Sequence, residues 1–164
     1  MAWALVLWVS TLIELTGSAL GWAVSAHIFG VVLALGPIVL LDWYGLVWVA
    51  GLRRLRECLR IAEAAHPVIW TGLWILLLSG MFLHPDLTAA TTWVKQLFVL
   101  ALLHNGVALK PLKRRLMKLP VGVTNATLPS GLRARMMGAT MLSQVCWWGA
   151  FGIGCLVLVG RHLS

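Results

Sequence analysis

Five acidic residues and a single tyrosine are all that this chain of 164 residues holds of those types, and charged side chains make up only 11%. A soluble domain of this length needs a polar surface and reads nearer to about 45–50% apolar. Here the apolar share is 60% and the mean hydropathy is +0.91. Other absences narrow the chemistry. Cys58, Cys146 and Cys155 do not make a disulfide framework, and there is no C-x-x-C-H for covalent haem attachment. There is no Walker loop and no Gly-rich dinucleotide fingerprint, which disfavours nucleotide-driven functions. No His-x-Glu hydrolytic zinc motif occurs. Soft copper sites favour Cys and Met clusters, and none is found.

What is present is long apolar sequence. Several runs reach the ~18–20 residues that cross a bilayer. They predict an all-α integral membrane helical bundle, a single transmembrane domain over residues 1–164. Five spans are expected, at about 2–20, 23–50, 67–83, 88–109 and 137–160. The first lacks a basic leader and a small-x-small cleavage site, so it reads as a span and not a signal peptide.

The net charge of +8 does not point to nucleic acid, because the basic residues lie between apolar spans. Arg53, Arg54, Arg56 and Arg60 follow the second span. Lys110, Lys113, Arg114, Arg115 and Lys118 follow the fourth, and Arg133 and Arg135 precede the fifth. If five spans alternate, all of these share one side, and Arg161 falls on the other. The positive-inside rule makes that shared side cytoplasmic. The expected location is a bacterial inner membrane, with a cytoplasmic N-terminus and an external C-terminus.

Two connections have character of their own. "GLRRLRECLRIAEAAH" has apolar residues at helical spacing, so it is expected to continue the second helix or to lie at the interface. A solvated topology signal is favoured there over a specific lipid site. "LPVGVTNATLPSG" reads as a cytoplasmic loop, whose Asn-Ala-Thr would not be glycosylated.

Polar groups at bilayer depth are costly and default to functional hypotheses. Position along each span, at ~1.5 Å per residue, sorts them into two layers. The external layer holds His27, Lys95 and Glu14, with His84 near it. Glu14 and Lys95 are at matching depth and would pair. Lys95 snorkelling to the headgroups is the bland alternative, as is a helix–helix hydrogen bond for His27. The cytoplasmic layer holds Asp42, Tyr44, His66, His104, Asn105, Ser143 and Gln144, either as a converging site or as structural polar groups.

Helical phase refines this. His27 and Asp42 are fifteen residues apart, about 60° in phase, so one face of the second span serves both. Gly30 and Ala34 lie near that face, leaving room for a flat ligand or for close helix packing. Lys95 and His104 are nine apart and lie on opposite faces. His66 and His84 are in phase but ~27 Å apart, so no single haem or metal takes both. Neutral imidazole is a common metal ligand and a common axial ligand of haem iron, and a bundle supplies an apolar slot for a haem.

Several segments are similar to a known family. "AHIFGVVLALG" resembles the first core helix of HemJ-type protoporphyrinogen oxidases, and "WVKQLFVLALLHNGVALKPLKRRL" resembles their later helix with its intramembrane lysine. The latter also resembles the copper-resistance D membrane domain. "VIWTGLWILLLSGMFL" is similar to the small-residue-rich helix that both place between them. The resemblance covers about Ala23 to Lys118, with the last span as fourth core helix.

The resemblance implies a four-helix core that binds haem b. The family histidine falls on His27 and the family lysine on Lys95. His27 is then an axial ligand of the iron. Lys95 is the opposite ligand, a propionate partner or a proton-handling group. The chain departs from the family in an extra leading span and in His66 and His104, which are the candidates for a second haem. The tryptophans Trp43, Trp48, Trp70, Trp74, Trp147 and Trp148 would line such sites or form interfacial belts.

The expected function is a haem-b-binding redox protein, an electron-transfer protein or an oxidoreductase resembling the porphyrinogen oxidases. Electrons would pass to a quinone or a redox partner protein. The alternatives are copper transport or resistance, and a non-catalytic subunit of a larger membrane complex. Gly17-x-x-x-Gly21 keeps the subunit reading open, as it does a homo-oligomer.

Overall fold

The computed structural model describes residues 8–10, 15–83, 86–120 and 122–163. It shows four long helices: α1 (Gly17–Val49), α2 (Leu55–Gly80), α3 (Ala90–Met117) and α4 (Ser130–Leu163). Each is long and apolar enough to cross a membrane. The protein is therefore an all-α, multi-pass membrane protein with four candidate spans among the described residues, where five were expected.

The difference arises at the start of α1. Thr16 is extended and Gly17 has a φ of +60°, a left-handed conformation that glycine adopts without a Cβ clash. The chain breaks there and not near Gly21, which is helical. Residues 17–20, expected to end the first span, instead open α1. Ahead of it the described helical residues are Trp8, Val9 and Ser10. Leu15 and Thr16 are not helical, and the remaining residues of the expected first span, including Glu14, lie outside the described residues.

α1 runs 33 residues, through Pro37. At ~1.5 Å per residue it is longer than the ~30 Å apolar core of a bilayer. Pro37 removes one backbone hydrogen bond within the helix, and membrane helices tolerate this when neighbouring groups compensate.

α1 ends where Gly51 takes a φ of +77°, and Arg54 is the extended N-cap of α2. The basic segment after Leu52 therefore does not continue the helix before it. It forms the first turns of the next one, and Pro67 lies inside α2. α3 and α4 likewise reach past the expected apolar limits into the basic segments, to Met117 and back to Ser130.

The chain divides into two compact units, residues 1–85 and 86–164. Each is a helical hairpin. In the first, the buried residues Ala23, Gly30, Ala34 and Ile38 form one seam of α1. A Cβ on Gly72 of α2 would lie 2.7 Å from the Ala34 nitrogen and 2.9 Å from the Gly30 oxygen. The two backbones touch, as small residues allow between membrane helices.

In the second hairpin, α3 buries Leu102, Asn105, Leu112 and Leu116, and α4 buries Cys146 and Trp147. The Phe98 ring occupies the space that a Cβ on Gly149 would need. Large apolar side chains are exposed on all four helices, among them Trp22, Leu78, Leu97 and Leu156. An apolar exterior is what a bilayer solvates.

Candidate functional site

His27 lies on the seam of α1, one turn from Ala23 and from Gly30, and is half-buried. Its Nδ1 is 3.0 Å from the Ser79 Oγ of α2. The Ser79 hydroxyl donates to the Ile75 carbonyl at 2.6 Å. A hydroxyl has one proton, so His27 Nδ1–H is the donor to Ser79. In neutral His27 the lone pair then belongs to Nε2. Gly80 flanks the ring: a Cβ there would sit 3.4 Å from His27 Cε1.

Beside Ser79 is an open apolar cleft of about 360 Å³. Ala19, Ala23 and Ala26 line it from α1, with Ile75 and Leu78 from α2. Ser79 is buried and was not singled out from the sequence. Its signal was there in "LLLSGMFL", a hydroxyl and a glycine interrupting an apolar run.

Gly30 and Ala34 make close helix packing, one of the two alternatives open for them. The Gly72 backbone fills the space beside them, which leaves no slot for a flat ligand at that level. Asp42 lies on the same seam of α1 and is half-buried, as the phase argument requires.

Of the expected inner-layer residues, His66, Asn105 and Gln144 have side chains in hydrogen bonds, and Tyr44 accepts one through its carbonyl. Trp70 Nε1–H donates to His66 Nε2 at 2.9 Å, one turn along α2. The Trp70 ring meets the His66 ring edge-on, with centroids 6.1 Å apart. The lone pair that a metal would need at His66 Nε2 is thus already accepting a proton. The Cys58 thiol donates to the Tyr44 carbonyl.

In the second hairpin, Asn105 Nδ2–H donates to the Ala139 carbonyl of α4 at 2.9 Å. Gln144 Oε1 accepts from Trp148 Nε1–H at 2.9 Å. His104 is exposed, while Lys95 lies half-buried on the α3 seam. Lys95 Nζ lies beside Gly154, at 3.7 Å from where a Cβ would stand, an ordinary contact distance. Lys95 and His104 thus point different ways from α3, as their spacing requires. Glu14, the expected partner of Lys95, and His84, expected near the external layer, lie outside the described residues.

Among the described residues no group of three or more His, Cys, Asp or Glu side chains is placed to hold a metal ion. A ligand set built of several protein donors is thus not found there. Comparison with family models, with curated proteins and with solved structures finds no match for this chain.

Proposed function

We propose that this membrane protein binds haem b through His27 and serves in electron transfer or in an oxidoreductase reaction. The observation that carries the reading is the His27–Ser79–Ile75 relay. A ligating histidine characteristically donates its second N–H to a fixed acceptor, which sets the tautomer and the ring orientation. Ser79 is that acceptor, and Ser79 is itself held by a backbone carbonyl.

The donor chemistry fits one axial position of a haem. The packing of Gly30 against Gly72 leaves no space for the ring at that level of the seam, and the open apolar cleft nearby is bordered by Ser79, the partner of His27. His27 would bind, Ser79 would orient it, and the alanine face of α1 would exclude water. Haem b, when bound, supplies one-electron chemistry. Lys95 is proposed as an intramembrane cation of the second hairpin that handles a proton or an acidic group. His104 remains a candidate for a second haem, and His66 would first have to release the Trp70 N–H. The basic ends of the helices are proposed to be cytoplasmic.

The test is an absorption spectrum of the purified chain reconstituted with haem, oxidised and dithionite-reduced. A Soret band that His27→Ala abolishes is the expected result. Ser79→Ala should keep the band but shift its reduced maximum or the midpoint potential. Absence of any Soret band, or a band indifferent to His27→Ala, overturns the proposal.

A further inference from the structure

At its closed end the first hairpin carries a second cleft, of about 450 Å³. Trp43, Tyr44 and Val47 line it from α1, and Leu52 and Arg53 from the turn. The lining is amphipathic. Trp43 is 63% exposed and Leu52 is 76% exposed, although both are large and apolar. Arg53 and Arg54 are exposed beside them.

Over residues 53–63 the chain holds Arg53, Arg54, Arg56 and Arg60 against Glu57 and Glu63, an excess of two positive charges. Arg53 is paired with Glu57 at 3.4 Å, but both side chains are about half exposed. Such a pair is weak and yields to a stronger anion. Asp42 stands one residue before the lining aromatics on α1.

We infer that this cleft binds an anionic phospholipid, with the phosphate at Arg53 and Arg54 and the upper acyl chain against Trp43, Val47 and Leu52. Three features select a lipid over other occupants. An exposed tryptophan and a half-buried tyrosine next to arginines at the end of a membrane helix match the headgroup level of a bilayer. The groove offers an apolar wall and a cationic rim together, which is the division within a phospholipid. Its charge also suits an anionic leaflet, where each nearby basic residue strengthens binding.

The second hairpin provides the contrast. Its basic end is denser in charge, with Lys110, Lys113, Arg114, Arg115, Lys118, Arg133 and Arg135 and no acidic residue after Asp86. Charge density alone would favour that end, so the triple variant below separates charge from the shaped groove of the first hairpin.

The experiment places the full chain in nanodiscs with photoreactive phosphatidylglycerol or photoreactive phosphatidylcholine, and maps crosslinks by peptide mass spectrometry. Preferential crosslinking of phosphatidylglycerol within residues 43–53 is expected. Arg53→Gln should lower it about fivefold. Glu57→Gln should raise it by freeing Arg53, a gain that a misfolded variant could not mimic. The triple variant K113Q/R114Q/R115Q should leave it unchanged. Equal crosslinking of the two lipids overturns the inference, as does an equal loss in the triple variant, which would mean diffuse charge. Competition by millimolar glycerol phosphate would show that the headgroup alone is bound, and would overturn the lipid assignment.

Discussion

The two hairpins use glycine in opposite ways. In the first, Gly72 brings two backbones together, against Ala34 N and Gly30 O. In the second, Gly149 makes room for a side chain, the Phe98 ring. A backbone contact cannot be relieved by a rotamer change, whereas a side-chain contact can. The first hairpin is thus closed along its middle and carries its polar relay at one end. The second is spaced by larger groups and holds its polar residues, Lys95 and Asn105, within the seam.

This difference ranks the expected effects of substitution. Gly72→Val should be the most damaging, costing about 3 kcal/mol or more by overpacking. Thermal unfolding in detergent would measure it, and trimming a neighbour with Ile75→Ala should not rescue it. Rescue by Ile75→Ala would mean that the backbones are not in contact.

Gly149→Ala should cost roughly 1–3 kcal/mol, because the Phe98 ring must move. Combined with Phe98→Leu, most of that loss should return. A double variant as unstable as Gly149→Ala alone would erase the distinction between the two hairpins.

Asn105→Leu should cost about 0.6 kcal/mol, the average for an interhelical hydrogen bond in a membrane. The same unfolding assay reads it, and a loss several times larger would give Asn105 a role beyond the Ala139 carbonyl. Glu57→Gln should be the mildest, at about 0.3–0.5 kcal/mol, since its ion pair with Arg53 is exposed and one helical turn long. Its melting temperature should therefore be nearly that of the parent, even though lipid crosslinking responds.

Much of the architecture was legible because bilayer solvation acts on whole segments. The apolar runs that became α1 to α4 were visible by length alone. The helix limits were less so. Gly17 and Gly21 look alike in sequence, and only the backbone shows that the first takes a positive φ and the second stays helical. The basic segment after Leu52 could have belonged to either neighbouring helix, and Gly51 assigned it to α2.

The polar residues divide similarly. His27 stood out because an imidazole in an apolar run is unexpected, but Ser79 did not, since a serine is ordinary helix composition. His66 looked available for a ligand until its Nε2 was found accepting from Trp70. That pair has helical spacing of four, so the contact was permitted by the sequence but not required by it.

The sequence by itself determined that the chain is helical and membrane-spanning, and that its positive charge gathers between spans. Composition suffices for this, because transfer into lipid sums over many side chains and tolerates errors at any one. Tertiary structure alone decided which glycines join backbones, and which hydroxyl stands within hydrogen-bonding distance of His27 Nδ1. Those outcomes turn on single contacts of about 3 Å between residues up to 52 apart in the chain, such as His27 and Ser79. A one-residue change of helical phase would remove them without altering the composition.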